Sequence, residues 1–239
     1  MEIAEPTQRQ VMKCILLLFF LCLSLHAEVF KVYTEQNPPY NFLENGKVKG
    51  QSTLLLEKLF QKSGHQIFDN NIYLLPWTIG YHEVLNKKNT MLYCMARLPE
   101  REALFRWVGP IGKMTLGVVA KKSRHMIIST PDALHSYKIA TIPGTSTEKA
   151  LLQVGFHVEE FDRFANLSSQ LKKLKENRVD AIAFGVEAVW QLLQEMGNDL
   201  SEYEVVYVLK ESDLYFAFSK ETNVKLIAEL NETLKNLLK

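Results

Sequence analysis

The sequence is poor in cysteine and has no excess of charge of either sign. Three of its 239 residues are cysteine, and 28 Lys and Arg stand against 27 Asp and Glu. A formal net charge of +1 gives no electrostatic reason to expect nucleic acid or an anionic membrane as a partner. The composition, 47% hydrophobic and 23% charged, excludes the disordered, collagen-like and coiled-coil classes. The length allows one large domain or two small ones.

The long apolar run of the chain lies near its N-terminus and has the pattern of an export signal. Lys13 supplies a positive charge, residues 15–25 supply an apolar stretch, and Ala27 gives a small residue at a cleavage point. The stretch is shorter than the roughly 20 residues that span a membrane. An uncleaved amphipathic anchor is the weaker alternative, because the segment has no polar face. We therefore expect residues 1–27 to be a cleaved signal peptide and the protein to be periplasmic.

Cleavage after Ala27 removes Cys14 and Cys22 and leaves Cys94 with no cysteine to pair with. The exported protein is therefore expected to begin near Glu28 and to fold without a disulfide. Mass spectrometry of protein recovered from the periplasm measures this directly. A mass that still includes residues 12–27 contradicts the prediction.

The rest of the chain alternates between strand-like and helix-like segments, which is typical of α/β architecture. Apolar residues at helical spacing predict a helix that ends near Gly64, and Asn45-Gly46 predicts a tight turn. Strands are expected at 29–34, 72–75, 117–120, 138–142, 158–161, 181–184, 205–209 and 214–218. Further helices are expected from about residue 81 and at 148–153, 167–177, 188–196 and 224–238.

Signatures of the common enzyme classes are missing from the sequence. It contains neither Gly-x-Ser-x-Gly nor a dinucleotide-binding fingerprint, and the GPIGK run at 109–113 is too short for a P-loop and is followed by Met114. The histidines are scattered and do not have metal-ligand spacing. The sequence therefore predicts no catalytic residues, no metal and no cofactor.

Two short segments carry chemistry that suits an anion. GTSTE at 144–148 follows an expected strand and opens a helix, and Thr145 with Glu148 fits a capping box. The free N–H groups of such a helix start attract negative charge. Arg97 and Arg101 lie near an expected strand end, and arginine matches a carboxylate with two parallel hydrogen bonds. Taken alone, the first segment is better explained as a plain helix cap, and a charge run like the second is usually a solvated loop.

Several short motifs follow one another along the chain. They are TEQNPPYNF at 34–42, NGKVKG at 45–50, PERE at 99–102, FRWVGPI at 105–111, GTS at 144–146 and NRVDA at 177–181. In this order they resemble the family 3 extracellular solute-binding proteins, the polar amino acid receptors of ABC importers. The similarity covers nearly all of residues 28–239, and the ordered set is more specific than any one of its parts.

The resemblance implies the type II periplasmic binding protein fold, in which two α/β lobes are joined by two hinge strands and close over a ligand. Lobe 1 would comprise residues 28–118 and 213–239, and lobe 2 residues 119–212. The partners implied are a small carboxylate-bearing solute and an ABC permease in the inner membrane. No nucleic acid partner is implied, and the protein is expected to be a monomer.

The resemblance also assigns ligand contacts. Arg101 would hold the ligand carboxylate, and Thr145 and Ser146 would face it from lobe 2. Tyr40 and Trp77 would lie near the aromatic walls of the site. A further position, Cys94, would offer its backbone to the ligand.

Three positions depart from the family pattern. Gly185 stands where the family has the aspartate that takes the ligand amine, Ala96 replaces a hydroxyl residue, and Asn37 replaces a stacking tyrosine. Carboxylate capture is therefore expected to be retained. Capture of an α-ammonium group is expected to be lost unless Glu187 or Glu35 takes it over.

Arg97 is expected beside the site, where it would favour a ligand with a second anionic or polar group. The main hypothesis is thus a receptor that delivers a small acid to a permease or a sensor. An enzyme on the same scaffold is the alternative, since cyclohexadienyl dehydratases share this fold, and Glu187 or Glu35 would then act as the general acid. A sensory or scaffolding module that has lost its ligand is the third possibility, and the presence of both Arg101 and Thr145 argues against it.

Overall fold

The computed structural model describes residues 29–65, 67 and 71–239, so the expected signal peptide lies outside the described residues. Within these ranges the chain forms, in order, β1 (Lys31–Thr34), β2 (Phe42–Glu44), β3 (Lys47–Lys49), α1 (Gln51–Lys62), β4 (Ile72–Leu74), α2 (Trp77–Asn86), β5 (Thr90–Ala96), β6 (Phe105–Lys121), β7 (Ile139–Thr141), α3 (Ser146–Gln153), β8 (Phe161–Arg163), α4 (Leu167–Lys175), β9 (Ala181–Gly185), α5 (Val186–Glu195), β10 (Tyr203–Ser219) and α6 (Val224–Leu237).

Eight of these strands form one mixed sheet in the order β4-β1-β5-β10-β6-β9-β7-β8. On one side, β1 runs parallel to β4 and β5, and on the other, β7 runs parallel to β8 and β9. The antiparallel pair β6 and β10 joins the two parallel groups. The separate β2–β3 hairpin turns at Asn45-Gly46, as the sequence predicts.

The central strands β6 and β10 are 17 residues long and pair from Tyr203 with Lys121 to Ser219 with Phe105. The sequence predicted shorter strands at 117–120, 205–209 and 214–218, which was wrong. Three register shifts interrupt their pairing, so side chains do not alternate regularly between the two faces of the sheet. The lobe limits expected from the family, after residues 118 and 212, fall within these two strands.

The strand end expected near Arg97 is that of β5, but its bounds, Thr90–Ala96, were not predicted, because all of its residues are buried and a strand covered on both faces shows no polar alternation. Helix α2 begins at Trp77, directly after Pro76, rather than near residue 81. The expected strand at 158–161 is a 3₁₀ turn, Val158–Glu160, followed by β8. Helix α1 ends before Gly64, whose φ of +75° suits glycine.

The helices cover both faces of the sheet and bury three apolar clusters. One cluster contains side chains from helices that pack beside both groups of parallel strands, among them Val84 of α2, Leu171 of α4 and Val189 of α5. The two groups are therefore packed against each other. Within the described residues, every helix is too short or too polar to cross a membrane.

Candidate functional site

A narrow cavity lies between the two parallel strand groups, at the carboxyl ends of β1, β5 and β9. Ligand sites of open α/β sheets form at such strand ends. The free volume is about 10 Å3, on a scale where one water molecule needs roughly 10–15 Å3. The cavity is lined by Glu35, Asn37, Trp77, Cys94, Ala96, Arg101, Met114, Thr145, Ser146, Thr147 and Phe184.

Arg101 crosses the cavity from one strand group to the other. Its residue is 1% exposed, and the 3₁₀ turn Pro99–Arg101 directs its side chain inward. Nη1 donates to the carbonyl of Ala96 (3.0 Å), and Nη2 donates to the carbonyl of Gly144 (2.7 Å). The buried Nε has no partner among the described residues. Burial lowers the pKa of Arg101 from its ordinary value, but a guanidinium keeps its charge in proteins.

Two aromatic rings hold the guanidinium of Arg101. Its Cζ lies 5.0 Å from the ring centroid of Trp77 and 5.5 Å from that of Tyr81. Cation–π attraction of this kind is strengthened by the removal of water. The arginine is therefore fixed in place before any ligand arrives.

Helix α3 presents its N-terminus to the cavity. Neither the Ser146 nor the Thr147 N–H group has an acceptor among the described residues, as expected for the first turn of a helix. Both residues are buried and line the cavity. These N–H groups and the positive end of the helix dipole suit an anion.

The Thr145 hydroxyl is already used by the fold. It donates to the carbonyl of Ile142 (2.9 Å) and accepts from the N–H of Glu148 (3.4 Å). Of the two hydrogen bonds of the expected capping box, only the one from the Glu148 N–H to the Thr145 hydroxyl is formed. The Glu148 carboxylate accepts from the N–H of Gly144 (2.8 Å) instead of from that of Thr145. Gly144 has a φ of +71°, which bends the chain here at little cost to glycine.

Glu148 also anchors this loop from behind. The residue is 2% exposed and accepts from Thr141 Oγ1 (2.6 Å) and from Arg163 Nη2 (2.9 Å) and Nε (3.1 Å). A buried carboxylate with this many charge-assisted bonds is rigid. The helix N-terminus therefore has a fixed position relative to the cavity.

Glu35 is the acid that lines the cavity. Part of the residue is exposed, and it also borders a second pocket, beside Leu74 and Pro76. Burial raises the pKa of Glu35 to about 8, and the charge of Arg101 opposes this shift. The neighbouring Asn37 is buried, and its Oδ1 has no partner among the described residues. One side of the cavity thus offers an acid and an acceptor.

The wall next to Asn37, whose Nδ2 donates to Met114 Sδ (3.8 Å), is apolar. An ideal Cβ on Gly185 would lie 2.4 Å from Met114 Sδ, so Met114 fills the space beside this glycine. Glu187, the acid closest in sequence, faces strand β6, where it accepts from the Thr115 N–H (3.2 Å) and Oγ1 (2.8 Å). Of the two acids expected to replace the missing aspartate, the structure brings Glu35 to the cavity and leaves Glu187 outside it.

Cys94 lies at an irregular point of β5. The consecutive β10 residues Tyr215 and Phe216 pair with Met95 and Tyr93 of β5 and skip Cys94. Cys94 is therefore the extra residue of a β-bulge. Its φ is +60°. A residue with a side chain adopts this conformation only at an energetic cost, and such residues are found at functional sites. Its thiol donates to Ser52 Oγ (3.0 Å), and burial raises its pKa to about 12. The thiol is therefore unreactive at neutral pH.

Two expected site residues lie elsewhere. Arg97 is outside the cavity, where its Nε donates to Glu102 Oε2 (2.7 Å) and its guanidinium lies 5.4 Å from the Tyr215 ring. The hydroxyl of Tyr40 donates to the carbonyl of Lys113 (2.7 Å), and the residue packs in an apolar cluster. The structure places neither residue among those that line the cavity.

Sequence reasoning missed three lining residues, Met114, Thr147 and Phe184. Thr147 was predictable as the second residue of a helix whose first turn was already expected to bind an anion. Met114 was not, because its inward direction depends on the irregular pairing of β6. Among the described residues, no group of three or more His, Cys, Asp and Glu is arranged to hold a metal.

Replacing Gly185 with alanine is expected to reduce the free energy of unfolding by about 1–3 kcal/mol, as overpacking does in cores. The φ of Gly185 is −64°, so the cause is the contact with Met114 and not backbone strain. Urea unfolding of Gly185→Ala, Met114→Ala and the double variant measures this. We expect the double variant to be more stable than the sum of the single losses, and strict additivity contradicts the contact.

Comparison with solved structures identifies the fold. An ancestral arginine-binding protein bound to glutamine has a TM-score of 0.75 and 21% identity, covering 88% of this chain and 92% of that chain. Holo ArgBP from T. maritima has a TM-score of 0.75 and 19% identity, with 88% and 91% covered.

A histidine kinase sensor domain with similarity to periplasmic binding proteins has a TM-score of 0.78 and 16% identity, with 88% and 90% covered. No family model matches the chain, and no curated protein matches it in sequence. The order of the strands and these similarities agree: the chain has the two-lobed α/β fold of the periplasmic binding proteins.

Proposed function

We propose that the protein is a solute-binding receptor for a small solute that carries a carboxylate. The observation that supports this is the buried Arg101, whose Nε is unpaired and which lines the same cavity as the residues with free N–H groups at the start of α3. A buried donor left without a partner is costly, and an anion placed between these groups satisfies them. The ligand carboxylate is thus bound by Arg101, Ser146 and Thr147.

The other end of the solute meets Glu35 and Asn37. Both offer oxygen acceptors, so the solute carries a donor there, either an ammonium or a neutral amide or hydroxyl group. The wall formed by Met114 and Phe184 provides no charge. Arg97 and Glu187 take no part in this site, because each is paired outside the cavity.

Binding requires the two lobes to separate, because about 10 Å3 admits no organic solute. The proposed lobes are residues 28–118 with 213–239, and residues 119–212, so β6 and β10 act as the hinge. In the closed form the lobes are linked by Arg101 with Gly144 and by the ion pair of Lys149 Nζ with Glu100 Oε1 (3.5 Å). A ligand that contacts both lobes favours closure through its differential affinity for that state.

Calorimetry on the ligand-stripped protein tests the proposed site. Arginine and glutamine are the first solutes to try, since the similar structures are described as binding them. Agmatine, which is arginine without its carboxylate, is the matched control. We expect binding to require the carboxylate. Equal affinity for arginine and agmatine contradicts the proposal, and if neither binds, the same test is applied to a panel of small acids and their amides.

We propose an ABC permease in the inner membrane as the partner, with the receptor itself a periplasmic monomer. The similarity to a histidine kinase sensor domain supports a membrane sensor as the second partner type. Deletion of the gene for this protein distinguishes them. Loss of solute uptake supports import, whereas unchanged uptake with loss of a transcriptional response supports sensing.

One observation favours an enzyme as the second candidate function. A carboxyl group with its pKa raised to about 8, such as Glu35, is protonated at neutral pH and has the property of a general acid. In a dehydratase it would protonate a leaving hydroxyl group. Incubation with prephenate, followed by the absorbance of phenylpyruvate, tests this. Turnover that is lost in Glu35→Gln supports the enzyme, and no turnover supports the receptor.

A further inference from the structure

Two basic segments meet at the end of lobe 2 that is remote from the cavity. The first, 121–125, follows β6, and the second, 172–180, connects the last turns of α4 to the start of β9. Lys121 Nζ donates to the carbonyl of Lys175 (2.8 Å) and to Asn177 Oδ1 (3.1 Å). The two segments therefore form one surface, which we call the basic end.

Strand β9 shows where this surface lies relative to the cavity. Its first residue, Ala181, adjoins the basic end, while its last, Gly185, adjoins the cavity. Four residue steps in a strand cover about 13 Å. The basic end and the ligand cavity are thus at opposite ends of lobe 2.

Positive charge is distributed unevenly along the chain, although the net charge is close to zero. The two segments hold seven of the 28 Lys and Arg but two of the 27 Asp and Glu, which gives them a net charge of +5 and leaves −4 for the rest of the chain. Clusters of four to eight such cations are typical of surfaces that bind acidic lipid headgroups.

Several of these cations are free to meet a partner. Lys122, Lys172 and Lys175 are exposed, and their ammonium groups form no hydrogen bond or ion pair with the described residues. Lys122 contributes, after hydrogen bonds from Ser201, to the lowered pKa of the exposed Asp199. Two further acids outside the segments, Glu202 and Glu204, flank Tyr203, which pairs with Lys121. The positive charge of this surface is therefore only partly neutralised by its own neighbours.

An exposed apolar side chain stands beside the basic end. Ile127 is 84% exposed, although the preceding Met126 is buried, and it follows Arg124 by three residues. Single exposed apolar residues are common, but this one adjoins the most basic surface of the chain. A soluble polyanion gains nothing from an isoleucine, whereas the boundary between lipid headgroups and acyl chains does.

We propose that the basic end is a membrane-contact surface, on which the lysines meet acidic phospholipid headgroups and Ile127 enters the headgroup boundary. Contact through this end leaves the ligand cavity at the far side of lobe 2 accessible. The inference does not depend on which solute the cavity binds.

Co-sedimentation with phospholipid vesicles tests the proposal. The protein is recovered from the periplasm, and its mass must show that residues 1–27 have been removed. We expect binding to vesicles of phosphatidylcholine mixed with phosphatidylglycerol, reversed at high salt, and little binding to phosphatidylcholine alone. The triple variant Lys122→Glu, Lys172→Glu, Lys175→Glu should bind at least about 100-fold more weakly.

A charge-matched control separates the basic end from net charge. Lys58→Glu, Lys62→Glu and Lys225→Glu change three exposed lysines of α1 and α6, and this variant should retain vesicle binding to within about threefold. Equal losses in the two triple variants overturn the proposal, as does equal binding to uncharged vesicles.

Ile127→Ser distinguishes a membrane from a soluble polyanion. We expect it to weaken vesicle binding roughly tenfold and to leave binding to polyphosphate unchanged. If polyphosphate binds as tightly as the acidic vesicles and Ile127→Ser affects neither, the partner is a soluble polyanion and the membrane proposal is wrong.

Discussion

Replacing Arg101 with methionine is expected to weaken binding of the carboxylate solute by roughly 100-fold or more. Hydrogen bonds to a charged group contribute about 1.5–3 kcal/mol each, and a ligand carboxylate left buried without its partner adds to the loss. Two such bonds amount to at least about two decades in affinity. Methionine keeps much of the apolar volume between Trp77 and Tyr81, so that mainly the charge and its donors are removed.

The same substitution has a structural cost that must be measured separately. Without Arg101, the carbonyls of Ala96 and Gly144 lose their donors, which costs about 1–3 kcal/mol of unfolding free energy. Thermal melting and calorimetry on the same samples distinguish lost stability from lost affinity. Arg101→Lys, which keeps the charge but not the fork, should fall between the wild type and Arg101→Met.

Arg97→Met is the matched control. Arg97 lies four residues before Arg101 in the sequence, but its guanidinium is paired with Glu102 and lies over the Trp107 and Tyr215 rings. We expect its replacement to change solute affinity by less than about threefold, as is usual for a partly exposed ion pair. If Arg97→Met and Arg101→Met lose equal affinity, the assignment of the carboxylate to Arg101 is wrong.

These two arginines show which features of the site can be predicted from the sequence and which cannot. Their presence near a strand end, and the resemblance that favours Arg101, were visible without a structure. Which of them is buried depends on the 3₁₀ turn Pro99–Arg101, and that turn follows β5, a strand hidden by its own complete burial. The side on which a side chain emerges from such a turn is decided by tertiary packing, not by the local pattern.

The helix starts were predictable for a different reason. The Gly144 to Glu148 segment combines a left-handed glycine, an N-cap and an acid in the first turn, which are local features with a direct effect on backbone conformation. Where the partner is distant in sequence, local rules fail. Glu148 bonds to Gly144 and Arg163, and the second contact requires β8 to lie beside β7.

The cavity wall beside Gly185 is another feature that local sequence rules do not predict. Gly185 leaves a space where the family has an aspartate, and Glu187 was one of the two acids named as able to take over capture of the ammonium group. The structure fills that space with Met114, from a strand about 70 residues earlier in the chain. Because side-chain direction in β6 depends on its register with β9 and β10, no reading of residues near Gly185 alone predicts it.

Glu35 should make the binding of an ammonium-bearing solute depend on pH. Its pKa is raised to about 8 by burial, despite the opposing charge of Arg101. Below about pH 8 the carboxyl is protonated in the free protein, so a cationic ligand group must displace a proton when it binds. Affinity should therefore rise with pH, by at most about tenfold per pH unit, and become constant above about pH 8.

The other groups that face Glu35 do not titrate in this range. Burial raises the pKa of the Cys94 thiol to about 12, Asn37 has no charge, and Arg101 remains a cation. Glu35→Gln should thus bind such a solute more weakly and with no pH dependence between about pH 6 and 9. Glu187→Gln, which changes an acid outside the cavity, should keep the wild-type profile.

The free protein gives an independent measure of the same group. An unfolded Glu35 ionises near its ordinary pKa of about 4.5, whereas the folded one remains protonated up to about 8. The folded state therefore binds more protons in this interval, and its stability decreases as the pH rises from about 4.5 to about 8. Melting temperatures of the wild type should fall across that interval relative to those of Glu35→Gln. Parallel stability profiles for the two proteins would show that Glu35 is ionised in the cavity at neutral pH, and a pH-independent affinity for ammonium-bearing solutes would then be expected instead.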